Sequence, residues 1–159
     1  MQHSLPLRLV MSFSSTRIGA QFFVNVAPHI DRVLMRISGG RINTGGGLAP
    51  ILVLNTVGRK SGQPRTAPLL YLRDGDRYFV IASKGGAPKH PDWYFNVTAQ
   101  PNVSVVAEGR TMQCTAHVAE DEERERLWGI ATDFNPGFNV YAARAGRVIP
   151  VIVLTPAGS

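Results

Sequence analysis

From residue 51 onward, short apolar or alternating runs are punctuated by turn residues, a pattern that predicts strands over 51–57, 66–73, 77–83, 103–108, 110–118 and 148–154. Asp74-Gly75-Asp76 and Glu108-Gly109 fall between consecutive runs and are hairpin signals. Within 110–118, Met112, Cys114, Ala116 and Val118 alternate with Thr111, Gln113, Thr115 and His117, so one face is buried and the other is wet or lines a cavity. A short helix is expected from Pro91 through Val97, ending before Pro101, and a second over 120–132. The second carries Glu120, Asp121, Glu122 and Glu123 at its positive dipole end, with Glu120/Arg124 and Glu122/Arg126 at i,i+4 spacing, which reads as a solvated charged face. Six strands in antiparallel hairpins with one or two packing helices predict a mainly β (α+β) fold, a small and partly open barrel.

Residues 8–38 follow a different period. Leu9, Val10, Phe13, Ile18, Phe22, Phe23, Val26, Ile30, Val33, Leu34 and Ile37 recur at helical spacing, broken around Pro28, with Arg8, Arg17, Arg32 and Arg36 opposite. Such a segment either packs its apolar stripe on the core or lies on an anionic membrane surface. Gly39-Gly40 and Gly45-Gly46-Gly47 then form a connection, dividing the chain into an N-terminal helical segment, 1–47, and a barrel domain, 48–159.

At 159 residues and 44% apolar content the chain suits one domain and excludes wholesale disorder. Its net charge of +6 is unevenly placed. Residues 1–50 hold five Arg and one Asp, residues 51–100 seven cations and three Asp, and residues 101–159 five Arg and seven acids, so an anionic partner is expected on the first two thirds. Cys114 is the only cysteine, which rules out an intrachain disulfide and fits a reducing, cytoplasmic setting. No eighteen-residue apolar run and no basic secretory n-region is present in the sequence.

Two segments carry the candidate chemistry. Gly58-Arg59-Lys60-Ser61-Gly62-Gln63-Pro64-Arg65 sets glycines, a hydroxyl and three cations in a loop between strands, suited to phosphate or carboxylate, and it is not a Walker loop. Ala82-Ser83-Lys84-Gly85-Gly86-Ala87-Pro88-Lys89-His90-Pro91-Asp92-Trp93-Tyr94 leaves a strand, crosses a Gly-Gly loop and enters a helix N-terminus, with two flat rings at its end. His90 reads as a loop or capping residue, Cys114 as core, and His117 as a lone histidine, so no metal site is expected. Nothing here equips the chain with its own reactive centre, and redox or transfer chemistry would need a borrowed cofactor.

Thr56-Val57-Gly58-Arg59-Lys60-Ser61-Gly62-Gln63-Pro64-Arg65 with Pro68-Leu69, Ser83-Lys84-Gly85-Gly86 through Lys89-His90-Pro91-x-Trp93-Tyr94, Asn96, Pro101 and Arg147-x-Ile149-Pro150-Val151 together resemble the deazaflavin (coenzyme F420)-dependent nitroreductase and quinone reductase family, an actinobacterial, chiefly mycobacterial group. The resemblance spans about residues 50–155 and implies a six-stranded antiparallel split β-barrel, FMN-binding-like, with an N-terminal helical segment. It implies coenzyme F420, an 8-hydroxy-5-deazaflavin with a phosphodiester and an oligoglutamate tail, as cofactor. By the same resemblance Arg59, Lys60 and Ser61 hold the phosphate and tail, alongside Arg65, Thr66, Ala67, Pro68, Leu69 and Leu70. Ile81, Ala82, Ser83 and Lys84 border the ring, and Asp92, Trp93, Tyr94, Phe95, Asn96 and Phe138 close the other side. The reaction implied is hydride transfer to a quinone, nitroaromatic or α,β-unsaturated carbonyl acceptor, with Ser83 and Tyr141 as donors to the acceptor oxygen. The family's nitroimidazole-reducing member looks Tyr-rich where this chain has Leu70, Asn135, Phe138 and Tyr141, which favours quinones or enones over nitro compounds.

Other readings remain open at this level. The basic loops with Trp93 and Tyr94 suit a nucleic-acid-binding module, although no specific nucleic-acid signature is present. A split barrel can also take FMN, biliverdin or haem. A homodimer and a peripheral position on the inner face of the membrane are the assembly and location compatible with these features.

Overall fold

The computed structural model describes residues 16–27, 29–30, 33 and 49–158. Its order is a short helix α1 (Arg17–Gln21) continued by a π-helical turn (Phe22–Val26), strands β1 (Ile51–Val57), β2 (Pro64–Asp74) and β3 (Arg77–Ile81), a 3-10 turn (Lys84–Gly86), helix α2 (Asp92–Ala99), strands β4 (Asn102–Ala107) and β5 (Arg110–Val118), helices α3 (Asp121–Phe134) and α4 (Gly137–Ala145), and strand β6 (Val151–Pro156). All strand pairs are antiparallel and the sheet closes in the order β1-β2-β3-β6-β5-β4. The partly open barrel expected from the alternation is thus closed, because β4 turns back onto β1 with Leu54 opposite Val105.

Two apolar layers explain the patterning. Inside the barrel lie Leu52, Leu54, Tyr78, Val80, Val105, Cys114, Ala116, Ile152 and Leu154. Outside it, Phe79, Ile81, Val151 and Val153 pack under Leu127, Ala131, Phe138 and Tyr141 of α3 and α4. Strands β3 and β6 therefore bury both faces and read as continuous apolar runs, whereas β5 alternates because His117 and its neighbours face outward.

Differences at element ends have local causes. β3 stops at Ile81 because the Ser83 amide folds back onto the Ile81 carbonyl at 2.9 Å. β6 begins at Val151, three residues later than the apolar run suggested: Pro150 has no amide to pair, and its carbonyl instead accepts from Ala82 at 2.9 Å. Helix α4 was not legible, being nine residues between Pro136 and the left-handed Gly146. Pro91 caps α2 from an extended conformation rather than opening its first turn.

The acids of α3 also depart from expectation. The cations of the two i,i+4 pairs find tertiary partners instead. Arg126 donates to both Asp74 oxygens at 2.6 and 2.9 Å, and Arg124 reaches the Ile149 carbonyl at 3.3 Å. Glu123 joins Arg77 at 2.8 Å and His117 at 2.9 Å, while Arg77 also bonds Asp74. This network ties α3 to the β2–β3 turn and to β5.

In the N-terminal segment, Gly19 and Ala27 are buried while Ile18 (76% exposed), Val26, Ile30 and Val33 face outward. Four residues of the stripe therefore face away from the core, whereas Phe22 is half-buried. Instead α1 and its π-helical turn contact the Lys84–Gly86 turn. The expected helical positions before residue 16 and the glycine-rich connection at 39–47 lie outside the described residues.

Hydrogen bonds from Arg126 and then Arg77 hold the Asp74 carboxyl down from 3.8 to about 2, against the upward pull of burial. A carboxyl depressed on folding stabilises the protein above its unfolded value and loses that contribution as pH falls toward the folded one. Asp74→Asn should cost about 1–2 kcal/mol at pH 7 and flatten the fall in stability between pH 4 and pH 2, measured by urea melts across that range.

Candidate active site

The β1–β2 loop is shaped before any ligand arrives. The Gly58 amide bonds the Gln63 carbonyl and the Gly62 amide bonds the Gly58 carbonyl, both at 2.8 Å. A Cβ on Gly58 would stand 2.5 Å from Ser61 Oγ and 3.3 Å from the Gln63 carbonyl oxygen, so a larger residue here would displace the Ser61 side chain from its bonds. Ser61 Oγ accepts from the Gln63 amide and from Arg65, each at 3.3 Å. Asn96, buried on α2, brackets the loop: its Oδ1 accepts from the Arg59 amide at 3.1 Å and its Nδ2 donates to Thr56 Oγ1 at 3.3 Å. Phe95 lies beneath the Arg59 guanidinium, 4.6 Å from ring centre to Cζ. Arg59 and Lys60 remain exposed.

Strand β2 supplies a second element. Its residues 64–70 pair with β1 and residues 71–74 with β3, so the far flank of 64–70 has no strand partner among the described residues. The Tyr71 amide points back to the Pro50 carbonyl at 3.0 Å, and strand alternation therefore directs the Thr66 and Leu70 backbone groups to that uncovered flank. Pro68 is tolerated at the same flank because no neighbouring strand needs its missing amide. The Thr66 side chain is spent on Asn55 Oδ1 at 3.1 Å. Ala67 and Pro68 are half-buried, Leu69 packs on the barrel interior, and Leu70 packs with Trp128 and Phe134 on the helix layer.

Beyond β3 the chain leaves the barrel through Ile81, Ala82 and Ser83, all buried, into three successive left-handed residues, Lys84 (φ 49), Gly85 (φ 63) and Gly86 (φ 80). Gly86 lies against α4, where an added Cβ would meet the Tyr141 carbonyl oxygen at 3.0 Å. Arg144 reaches the Gly85 carbonyl at 3.3 Å. Ser83 is 9% exposed, and its hydroxyl has no hydrogen-bond partner among the described residues.

The remaining expected residues divide by burial. Asp92 is exposed at the α2 N-terminus. Trp93 and Tyr94 are half-buried against the barrel interior rather than presented as open plates. Phe138 and Tyr141 are buried in the helix layer, edge to face at 6.0 Å. Asn96 is committed to the loop it brackets, so the structure makes it a support for Arg59 more than a bordering surface. Sequence reasoning gave no role to Arg147, which donates to His90 Nδ1 at 2.9 Å and to several carbonyls of the 82–91 segment; its place in the Arg-x-Ile-Pro-Val motif was the available signal. Burial, and then the Arg147 charge, lowers the His90 pKa.

Among the described residues, carboxylates within ion-pair distance serve Arg73, Arg77, Arg126 and His117. Arg59, Lys60, Arg65, Lys84 and Lys89 have no carboxylate partner among them.

A model of the F420H(2)-dependent quinone reductase family matches residues 29–156. The chain belongs to that family. It is therefore an oxidoreductase with coenzyme F420 as cofactor and quinones as the acceptor class. It is 43% identical over 112 residues to an F420H(2)-dependent quinone reductase of Mycobacterium tuberculosis, covering 69% of this chain and 75% of that one. Among solved structures it is similar to an F420-H2 dependent reductase, with 42% identity, a TM-score of 0.61 and coverage of 66% and 93% of the two chains. A second, described as a domain-swapped dimer, shares 37% identity with a TM-score of 0.63 and coverage of 79% and 96%. Family membership decides for the deazaflavin against FMN, biliverdin or haem, and for an enzyme against a nucleic-acid-binding module. The unpaired cations fit a cofactor whose phosphodiester and oligoglutamate tail are polyanionic.

Asn96→Ala removes two bonds from a buried bracket and should cost about 1–2 kcal/mol, read as a lower thermal midpoint, with the Arg59 and Thr56 groups left unpaired.

Proposed function

We propose that this F420H(2)-dependent quinone reductase binds the cofactor's phosphodiester and tail on Arg59, Lys60, Ser61 and Arg65. The ring then lies between the uncovered flank of β2, from Thr66 to Leu70, and the Ile81–Lys84 exit, with Asp92, Trp93, Tyr94 and Phe95 on the α2 side. The observation that carries this reading is the set of loop cations lacking any carboxylate partner among the described residues. A cationic surface left unneutralised by its own chain attracts a polyanion over long range and binds it through charge-assisted hydrogen bonds.

Reduced coenzyme F420 supplies a hydride to the acceptor. The chain's residues do the rest. The backbone amides at Thr66 and Leu70 orient, Lys84 adds positive charge close to the ring, and the buried Ser83 hydroxyl donates to the acceptor oxygen on which negative charge develops. Phe138 and Tyr141 wall the acceptor side from water, with the Tyr141 hydroxyl as second donor. A quinone meets these groups with a carbonyl oxygen and a flat apolar ring. An enone presents the same carbonyl, whereas the apolar Leu70 and Phe138 offer a nitro group no hydroxyl.

The exposed Ile18, Val26, Ile30 and Val33 support a peripheral seat on an anionic membrane face, from which a lipid-soluble quinone would be reached. Among the described residues no helix is long and apolar enough to cross a membrane. The domain-swapped relative supports a homodimer for this chain too.

Fluorescence-quench titration with F420 should give binding that weakens by about 1–3 kcal/mol, roughly 5- to 150-fold, in Arg59→Ala or Lys60→Ala. Wild-type protein should oxidise F420H2 with menadione; absence of both binding and turnover overturns the proposal. Deleting residues 1–40 should release the protein from sedimenting anionic vesicles while F420 affinity persists, and unchanged sedimentation would remove the membrane reading.

A further inference from the structure

Arg147, in the connection between α4 and β6, gathers one segment of chain around its guanidinium. Its Nε donates to the Ala87 carbonyl at 3.2 Å, and its Nη2 to the carbonyls of Ala82 at 3.2 Å and of Ser83 and Lys89 at 3.4 Å. Its Nη1 donates to His90 Nδ1 at 2.9 Å and to the Val148 carbonyl at 3.3 Å. Burial lowers its pKa, and among the described residues it has no carboxylate partner. A partly buried guanidinium held by carbonyl dipoles and one imidazole nitrogen is an expensive way to staple a loop, and it leaves a full positive charge behind that loop.

Two consequences follow from bond geometry. In a trans peptide the carbonyl of one residue and the amide of the next point in opposite directions. With the Ser83 and Lys89 carbonyls turned to Arg147, the Lys84 and His90 amides face away from it, and neither has a partner among the described residues. Second, a guanidinium only donates, so His90 Nδ1 must accept and its proton must sit on Nε2. The imidazole so fixed lies 4.7 Å from the Tyr94 ring and edge-on to Phe95 at 5.8 Å, and Phe95 carries Arg59. One chain of contacts, Arg147 to His90 to Phe95 to Arg59, joins the two basic loops.

We propose that Arg147 is the positioning residue of this site: it fixes the Ala82–His90 segment so that Ser83 and Lys84 face the reacting ring, and through His90 and Phe95 it sets Arg59 on the phosphate side. Arg147 touches neither cofactor nor acceptor. The cofactor half of this assignment rests on the function proposed above.

The test uses full-length Arg147→Met beside wild type. In cofactor-free protein, nitrogen NMR of His90 should show a single Nε2–H tautomer that resists protonation. The titratable groups facing that ring are Arg147 from the α4–β6 connection and Tyr94 from α2. In Arg147→Met the ring should sample both tautomers and take up a proton at higher pH. With F420H2 and menadione, kcat should fall at least tenfold while the menadione KM stays within twofold, and Arg147→Lys should recover part of kcat. A wild-type kcat, or losses that follow only the fraction of folded protein with the His90 tautomer unchanged, overturns the assignment. Should Arg147→Met fail to fold, His90→Asn, which keeps an acceptor for Arg147, should retain kcat that His90→Phe loses; equal values overturn it. Failure of wild type to bind F420 would instead sink the cofactor reading. The His90 tautomer, single in wild type and mixed in Arg147→Met, would then sustain the positioning of the loop, and a mixed tautomer in wild type would overturn it.

Discussion

Burial of β3 and β6 on both faces is the constraint from which the rest of the molecule follows. Phe79 and Val153 can look outward only if helices cover them, and Val80 and Ile152 can look inward only if the sheet closes. Closure and the α3–α4 layer are thus one requirement met twice. The proposed site lies where that doubly buried pair ends: beyond Ile81 the chain leaves the strand and turns.

Charge is divided with equal economy. Two carboxylates, Asp74 at the β2–β3 turn and Glu123 of α3, are shared among Arg77, Arg126 and His117 and dock α3 on the barrel. Among the described residues, the cations of the two basic loops keep no carboxylate partner. That loop charge is what the proposed cofactor seat rests on, since attraction for a polyanion grows with charge the chain leaves unneutralised.

Strand β5 and the two hairpin turns were legible because alternation and glycine-bearing turns are local facts; Glu108 and Gly109 take the positive φ that such a tight turn requires. The two basic loops were legible because their residue types carry their chemistry. Helix α4 was hidden by its brevity, and the doubly buried strands gave length without facing. Asn96 and Arg147 stood in motifs, but what they bond depends on contacts 37 to 65 positions apart in the chain, which no local pattern specifies. The same holds for α3, whose neighbouring charges suggested pairs within the helix until partners on the barrel outcompeted them.

The bare flank of β2 has one more implication. A row of unpaired strand groups is a template for any foreign strand, and an exposed edge of this kind invites sheet-to-sheet association between molecules. Pro68 stands in the middle of that row, flanked by the outward groups of Thr66 and Leu70, and cannot donate. An intruding strand would find its ladder broken at the centre, whereas a small planar molecule needs only one or two of the surviving groups. The proline thus acts as a gatekeeper, keeping an adhesive edge selective for ligands too short to notice the gap.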